Sequence, residues 1–292
     1  MSASEKSLNP EIATIETLGI IAGGGSIPAK LVQACENLGI QPFIVALEGN
    51  AAPELVEGHE HVWSRLGAAG QIIKTLKAHE ITDLVLIGSI HRPSITEIKP
   101  DLKTAEFLAK VGLSALGDSD ILDAVRRFLE SEGFRVHGVH KFARDLLAPE
   151  GVIGKYEPSK AEWSDIRRGI EISQAIGRLD IGQAVIIQEG LVLGVEGIEG
   201  TDELIERCGA LMRKGRKPIL VKTCKPQQDE DLDLPTIGVD TIEKAAYAGL
   251  GGVVIHAGRS LLYEREEVQV AADKNKLFVI GVDPLAETHK DG

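Results

Sequence analysis

The densest set of chemically competent side chains lies in the run Lys225-Pro-Gln-Gln-Asp-Glu-Asp-Leu-Asp-Leu-Pro235. Asp229, Glu230, Asp231 and Asp233 crowd into one loop, where like charges repel unless they are solvated or hold a cation. Oxygen-only donors of this kind suit Mg2+, which keeps several waters and binds through one or two carboxylates plus substrate phosphate. A solvated surface loop is the competing reading. The stretch Leu234-Pro-Thr-Ile-Gly238 follows at once. An apolar, proline-fixed segment in that place pins Asp233 against a core and singles it out from Asp229 and Glu230.

A second candidate is the turn Gly23-Gly24-Gly25-Ser26, between an apolar run and a helical pattern. Glycines there let backbone N–H groups approach a phosphate at the positive end of a helix. The spacing is G-x-G-x-x-P, with Pro28 where a dinucleotide fingerprint has its third glycine. Glu48, at the end of the next apolar run, is placed to take a ribose hydroxyl. A purely structural tight turn is the alternative. A third candidate is Glu196-Gly-Ile-Glu-Gly-Thr201-Asp202: a hairpin strand runs into a helix capped by Thr201, with Glu196, Glu199 and Asp202 as further metal ligands. Ordinary helix capping explains the same residues. Gly258-Arg259-Ser260 offers another anion pocket, because a guanidinium matches phosphate geometry; an arginine in solvent is the rival. His91 follows a strand, at the end where α/β sheets hold ligands. His137 and His140 fall on opposite faces of a predicted strand, so they share no metal. H-E-x-x-H and G-x-S-x-G patterns are absent, and no aromatic and basic residues interleave.

The elements that position these residues alternate. Strands are expected at Leu18–Ala22, Pro42–Leu47 and Asp83–Gly88, with helices at Ala29–Leu38, stopped by Gly39, and at Gly70–His79. Such alternation implies an N-terminal Rossmann-like parallel sheet. Two amphipathic helices follow, Leu102–Leu113 and Ser119–Glu132, the second capped by Asp118 or Ser119, and then an alternating stretch, Phe134–Val139. Leu146–Gly154, interrupted by Pro and Gly, reads as a linker. Beyond it come a helix at Glu162–Ile176, a hairpin at Ala184–Glu196 turning near Glu189-Gly190, and a helix from Thr201 to Arg213. Strand Pro218–Lys222, a helix from Thr241, strand Gly252–Ile255, helix Glu266–Asp273 and strand Leu277–Val282 complete a mixed α/β second half. The domain plan is a flexible extension at 1–16, a first domain at 17–146, a linker at 147–157 and a catalytic α/β domain at 158–292.

The chain has 292 residues, 32 Lys plus Arg against 44 Asp plus Glu, and a formal net charge of -12. That length suits two domains. The acidic balance argues against nucleic acid as a partner, since binding it takes a surplus of cations to displace counterions. Cys35, Cys208 and Cys224 form no C-x-x-C pair, so a disulfide framework and a thiolate zinc site are both disfavoured. No apolar run reaches the roughly 18 residues of a membrane span, and the first residues lack a basic start and an apolar core. The expected location is cytoplasmic.

Leu18-Gly-Ile-Ile-Ala-Gly-Gly-Gly-Ser-Ile-Pro28, Gly182-Gln183, Glu199-Gly-Thr-Asp202 and Lys225-Pro…Asp233-Leu-Pro-Thr-Ile-Gly238 together resemble the LpxI family, over nearly everything from Leu18 to Asp283. The resemblance implies two domains with the ligand between them. It also implies Mg2+-dependent hydrolysis of UDP-2,3-diacylglucosamine to UMP and 2,3-diacylglucosamine 1-phosphate in lipid A synthesis. The family's essential aspartate stands in the D-L-P-x-I-G motif and carries over onto Asp233. Substrate-binding candidates are then Gly23, Gly24, Gly25, Ser26, Gly88, Gln183, Gly200, Thr201, Lys225, Thr236, Gly238 and Arg259, and metal candidates are Asp233, Glu199 and Asp202. The family often has an arginine two positions before the aspartate; here Asp231 stands there, so Lys225, Arg259 or the metal must take over its charge. Acyl chains would lie along the helices between Leu102 and Phe128. The partners expected are the glycolipid nucleotide, transient contact with the inner membrane surface, and a second copy in a homodimer. The rivals are a nicotinamide-dependent oxidoreductase, which would bind NAD(P)H saturably, and a UDP-sugar or lipid-intermediate binding protein, which would not release UMP.

Overall fold

The computed structural model describes residues 10–90, 99–111, 118–229, 231–232 and 234–288. They fall into two compact units. The first holds the described residues of Met1–Arg144 and of Asp231–Asp233, and the second those of Asp145–Glu230 and Leu234–Gly292.

The first unit runs β1 (Thr17–Ala22), α1 (Ile27–Leu38), β2 (Gln41–Leu47), β3 (Glu60–Ser64), α2 (Ala69–Ala78), β4 (Asp83–Ile87), α3 (Leu102–Val111), α4 (Asp118–Ser131) and β5 (Arg135–Val136). Its strands form one parallel sheet in the order β3-β2-β1-β4-β5. Near-continuous apolar runs such as Phe43-Ile-Val-Ala-Leu47 suit strands covered on both faces, and Ile20, Ile44, Val45, Leu84 and Val85 are fully buried. Pro28 lies in the first turn of α1, and Gly39 ends that helix in the left-handed region at φ 74°. The order reverses between β1 and β4, the place where open α/β sheets hold ligands. β3 was not expected. Its sequence, EHVWS, has no apolar run, because it is an edge strand held by β2 (Phe43↔Glu60, Leu47↔Ser64). Asp118 belongs to α4 itself, and the position before it lies outside the described residues. From residue 10 the extension is packed rather than frayed. Ile12 and Ile15, three apart, are buried, and the Glu16 carbonyl accepts from the Gln41 amide at 2.8 Å.

The second unit runs β6 (Gly151–Ile153), α5 (Lys160–Arg178), β7 (Ala184–Gln188), β8 (Leu191–Val195), α6 (Gly200–Gly209), β9 (Ile219–Lys222), β10 (Thr236–Ile237), α7 (Val239–Tyr247), β11 (Gly252–His256), β12 (Leu261–Leu262), α8 (Arg265–Asn275), β13 (Phe278–Val282) and α9 (Pro284–Thr288). Its main sheet has the order β6-β13-β11-β9-β7-β8. β9, β11 and β13 are parallel to one another, and β6 and β7 pair antiparallel to them. The expected linker is therefore partly a strand: β6 closes an edge against β13, and its brevity and glycine hid it. One face packs Ile166 and Ile170 of α5 on Val185, Val221 and Val254. The other packs Leu204, Ile242 and Val268 of α6, α7 and α8 on Ile186, Leu220 and Val253. The β7–β8 hairpin turns at Glu189 and Gly190, at φ 49° and 78°, the pair of positive values that a type I′ turn needs.

Candidate functional site

In the first unit the glycine-rich turn sits at the sheet's switch point, but its first amides are already committed. Gly23 N–H donates to the Ile87 carbonyl and Gly24 N–H to the Ser89 carbonyl, each at 2.8 Å, and Ser89 N–H returns a bond to the Gly24 carbonyl. Gly24 and Ser89 thereby form an antiparallel bridge. A Cβ on Gly23 would meet the Ser89 carbonyl at 2.4 Å, and one on Gly88 the Gly24 carbonyl at 2.7 Å. Gly23, Gly24 and Gly88 are thus required by the close approach of two loops, which corrects the expectation that Gly23 and Gly24 donate to a phosphate. Gly25, at φ 87°, and Ser26, the residue preceding α1, remain as the part of the turn aimed along the helix start. Glu48 is exposed at the end of β2. His91 lies outside the described residues.

In the second unit the carboxyl ends of β9 and β11 gather polar groups on one edge. Lys222, only 8% exposed, donates from Nζ to the Thr236 carbonyl at 3.3 Å. Thr223 N–H donates to the Gln183 carbonyl at 3.0 Å. Gln183 N–H in turn donates to Glu196 Oε2 at 2.9 Å, and the Thr201 hydroxyl donates to Glu196 Oε1. Gln183, Glu196 and Thr201 are therefore one cluster, joined through β9 to Lys222 and Thr236. His256 ends β11, beside Arg259 and Ser260. Gln183 Oε1, His256 Nδ1 and Ser260 Oγ are buried with no partner among the described residues, so this end of the sheet holds both a buried cation and unsatisfied polar atoms. Sequence reasoning missed Lys222 and His256 as candidates, while Ser260 belongs to the Gly258-Arg259-Ser260 turn that it did single out. Lys222 closes a predicted strand and His256 directly follows one, so the carboxyl-end rule applied to His91 would have found both.

Burial and the neighbouring Arg259 guanidinium push His256 from 6.5 down to about 4, against the opposing pull of Asp283. The folded protein therefore resists taking a proton that the unfolded chain accepts, and stability falls as pH drops from 6.5 towards 4. His256→Gln is expected to flatten that limb of the thermal-midpoint profile. An unchanged slope in the variant would show that the acid sensitivity arises elsewhere.

Several other candidates are engaged away from this cluster. Thr201 does not cap α6: the residue before the helix is Glu199, no side-chain cap bond forms, and the helix ends at Gly209. The expectation failed because the Thr201 hydroxyl is drawn to Glu196. Glu199 accepts from Arg207 at 2.7 Å and from Gly197 N–H at 3.1 Å, and Asp202 pairs with Lys244. Each candidate ligand is thus neutralised by a cation on its own surface, and among the described residues no group of three or more His, Cys, Asp or Glu could hold a metal. Lys225 turns its ammonium to Asp180 at 2.5 Å, so its charge is matched within the unit. Gly200 starts α6 at φ 82°, and Gly238 packs under the Tyr263 ring. His137 and His140 do diverge, but through a short 3-10 turn rather than a strand pleat. His137 bonds Asp83 at 2.7 Å, while His140 lies 3.8 Å from Asp231. Asp229 is half-buried. Glu230 and Asp233, the sequence's first choice, lie outside the described residues. The three cysteines are buried and in no disulfide, and burial pushes the Cys35 thiol, with Glu36 adding to it, up to about 12. Among the described residues no helix is long and apolar enough to cross a membrane.

A family model described as the LpxI N-terminal domain matches residues 17–146, and one described as the LpxI C-terminal domain matches residues 149–280. The chain is 39% identical over 274 residues to the UDP-2,3-diacylglucosamine pyrophosphatase LpxI of Caulobacter vibrioides, covering 91% of this chain and 98% of that one. Among solved structures, the Bordetella bronchiseptica enzyme WbmG in complex with NAD is matched over 39% of this chain and 35% of its own, at 14% identity and a TM-score of 0.26. Carboxyaminoimidazole ribonucleotide synthase from Aspergillus clavatus, complexed with ATP, is matched over 70% and 46%, at 16% identity and a TM-score of 0.23. At such scores neither ligand carries over to this chain.

Proposed function

The chain belongs to the LpxI family, and on that footing we propose that it hydrolyses the diphosphate of UDP-2,3-diacylglucosamine to UMP and 2,3-diacylglucosamine 1-phosphate. The observation that carries this reading is the match to a pyrophosphatase along almost the whole of both chains. The second unit's polar edge suits the same chemistry. Hydrolysis adds water to one phosphorus and breaks its bond to the bridging oxygen, so negative charge grows on the departing phosphate. The reaction asks the protein mainly for positioning and charge neutralisation. Lys222 and Arg259 supply the positive charge, and a buried ammonium acts more strongly there than one in water. Gln183 and Ser260, whose buried oxygens lack partners among the described residues, orient the nucleotide through hydrogen bonds. His256 stays neutral at pH 7, because burial and Arg259 hold it down, and so can accept as well as donate.

Asp233 is the acid on which turnover depends. With Glu199 and Asp202 occupied by Arg207 and Lys244, Mg2+ would be held by Asp233 together with substrate phosphate oxygens, the sparse protein ligation common for this ion. The acyl chains are assigned to α3 and α4, where Leu102, Leu108 and Ile121 are exposed and the rings of Phe107 and Phe128 lie 5.3 Å apart. The proposed location is the cytoplasm, in transient contact with the inner membrane surface, as suits a diacylated substrate.

Incubating the protein with UDP-2,3-diacylglucosamine and Mg2+ is expected to release UMP, and a chelator to stop it. Substrate bound but uncleaved would leave a binding protein instead. Release unaffected by chelation would remove the metal from the proposal while keeping the reaction.

A further inference from the structure

Asp231 stands two positions before Asp233, and its surroundings suit an acid. Its carboxylate accepts from Gly138 N–H and from Lys141 Nζ, both at 3.1 Å. Arg126 Nη2 and His140 Nε2 each stand 3.8 Å away. The side chain is 19% exposed, and that of Lys141 18%, so the pair is largely shielded from water. Gly138 is needed for the approach: a Cβ there would come within 2.8 Å of the Asp231 Cα. The next residue, Leu232, packs against the first unit's apolar cluster, which includes Leu129, Phe134 and Val136. Both residues group with the first unit, although most of the flanking loop belongs to the second.

We propose that Asp231 is a positioning residue, whose bonds to Gly138 and Lys141 fix the backbone immediately before Asp233. The proposal rests on the reading of Asp233 as the working acid. Asp231 stands two positions before Asp233 in the sequence, so loosening the backbone at Asp231 loosens the segment that leads to Asp233. The Asp231 carboxylate faces Arg126, Lys141 and His140 and so serves as the anchor for a set of cations.

The test is Asp231→Asn, alone and with Lys141→Met, read by steady-state kinetics and by amide hydrogen exchange of residues 229–236. Asp231→Asn is expected to lower kcat by about 10²-fold, the cost of a misplacement near ~1 Å, while KM and the thermal midpoint hold. Exchange across 229–236 should quicken by about tenfold or more, as local opening becomes easier. Lys141→Met should reproduce both effects, and the double variant should add little to either single one, the non-additivity expected of one contact. Asp231→Glu, which keeps the charge, should recover part of kcat. Unchanged exchange in Asp231→Asn overturns the anchor whether or not the protein is active. So does kcat within about twofold of wild type, or a kcat loss matched by loss of folded protein. A wild-type protein that releases no UMP, with exchange still quickened by the substitution, would instead sink the pyrophosphatase reading and leave the anchor standing.

Discussion

Asp233→Ala is expected to lose turnover by at least ~10²–10³-fold, the scale seen when one key electrostatic group is removed from an active site. The other candidate acids offer no substitute. Asp231 is engaged by Lys141 and Gly138, and Glu199 and Asp202 face cations of their own. Substrate should still bind, because the contacts proposed for the nucleotide and the acyl chains involve other residues. The expected signature is a collapse of kcat with KM and the thermal midpoint little changed. Retention of a tenth or more of wild-type activity would reject the assignment. Loss of activity together with loss of folded protein would assign Asp233 a structural role.

The largest stability effect is expected at Asp83, which starts β4 at 3% exposure. Its carboxylate accepts from Arg135 Nη2 at 2.6 Å and Nε at 2.8 Å, from Thr82 Oγ1 at 2.7 Å, and bonds His137 Nε2 at 2.7 Å. Burial alone would raise this carboxyl, but the hydrogen bonds from Arg135, His137 and Thr82 outweigh it and bring it from 3.8 down to about 2. A depressed carboxylate stabilises the fold above its unfolded value, and that contribution drains away as pH falls from 3.8 towards 2. Asp83→Ala should cost about 3 kcal/mol at pH 7, the lower end for breaking a buried pair, since Arg135 is largely exposed and can return to water. Of that, about 2 kcal/mol should vanish by pH 2 in the wild type. Trp63 lies in the first unit and Trp163 in the second. Urea unfolding read by Trp63 fluorescence in a Trp163→Phe background therefore reports the relevant unit. Equal unfolding midpoints with and without Asp83 at pH 7 would contradict the account.

Much of the scaffold was legible because its signals are local. Pro28 and Gly39 bracket α1, Glu189-Gly190 marks the hairpin turn, and the apolar runs of β1, β2, β4, β9, β11 and β13 announce buried strands. β3 and β6 escaped because edge strands need no apolar run; what defines them is a neighbour. The capping box at Ser159 and Glu162, with both of its hydrogen bonds in place, was readable as S-x-x-E and went unread. Thr201 was misread for a different reason. Its local context is that of a helix cap, but its partner Glu196 is fixed by the end of β8. The candidate site divides in the same way. Glycines 23 and 24 look like a phosphate cradle along the chain, and only their bonds to Ile87 and Ser89 reveal that their amides are spent. The role of Asp231 could not be read at all, because Gly138, Lys141 and Arg126 lie far from it in sequence. Such long-range pairing leaves no periodicity to detect.

The most direct test of the central claim is phosphorus NMR of UDP-2,3-diacylglucosamine incubated with the purified wild-type protein. The two coupled diphosphate resonances are expected to give way to two monophosphate resonances in equal amounts, those of UMP and the diacylglucosamine 1-phosphate. Diphosphate signals that persist while the protein demonstrably binds the glycolipid would contradict the account.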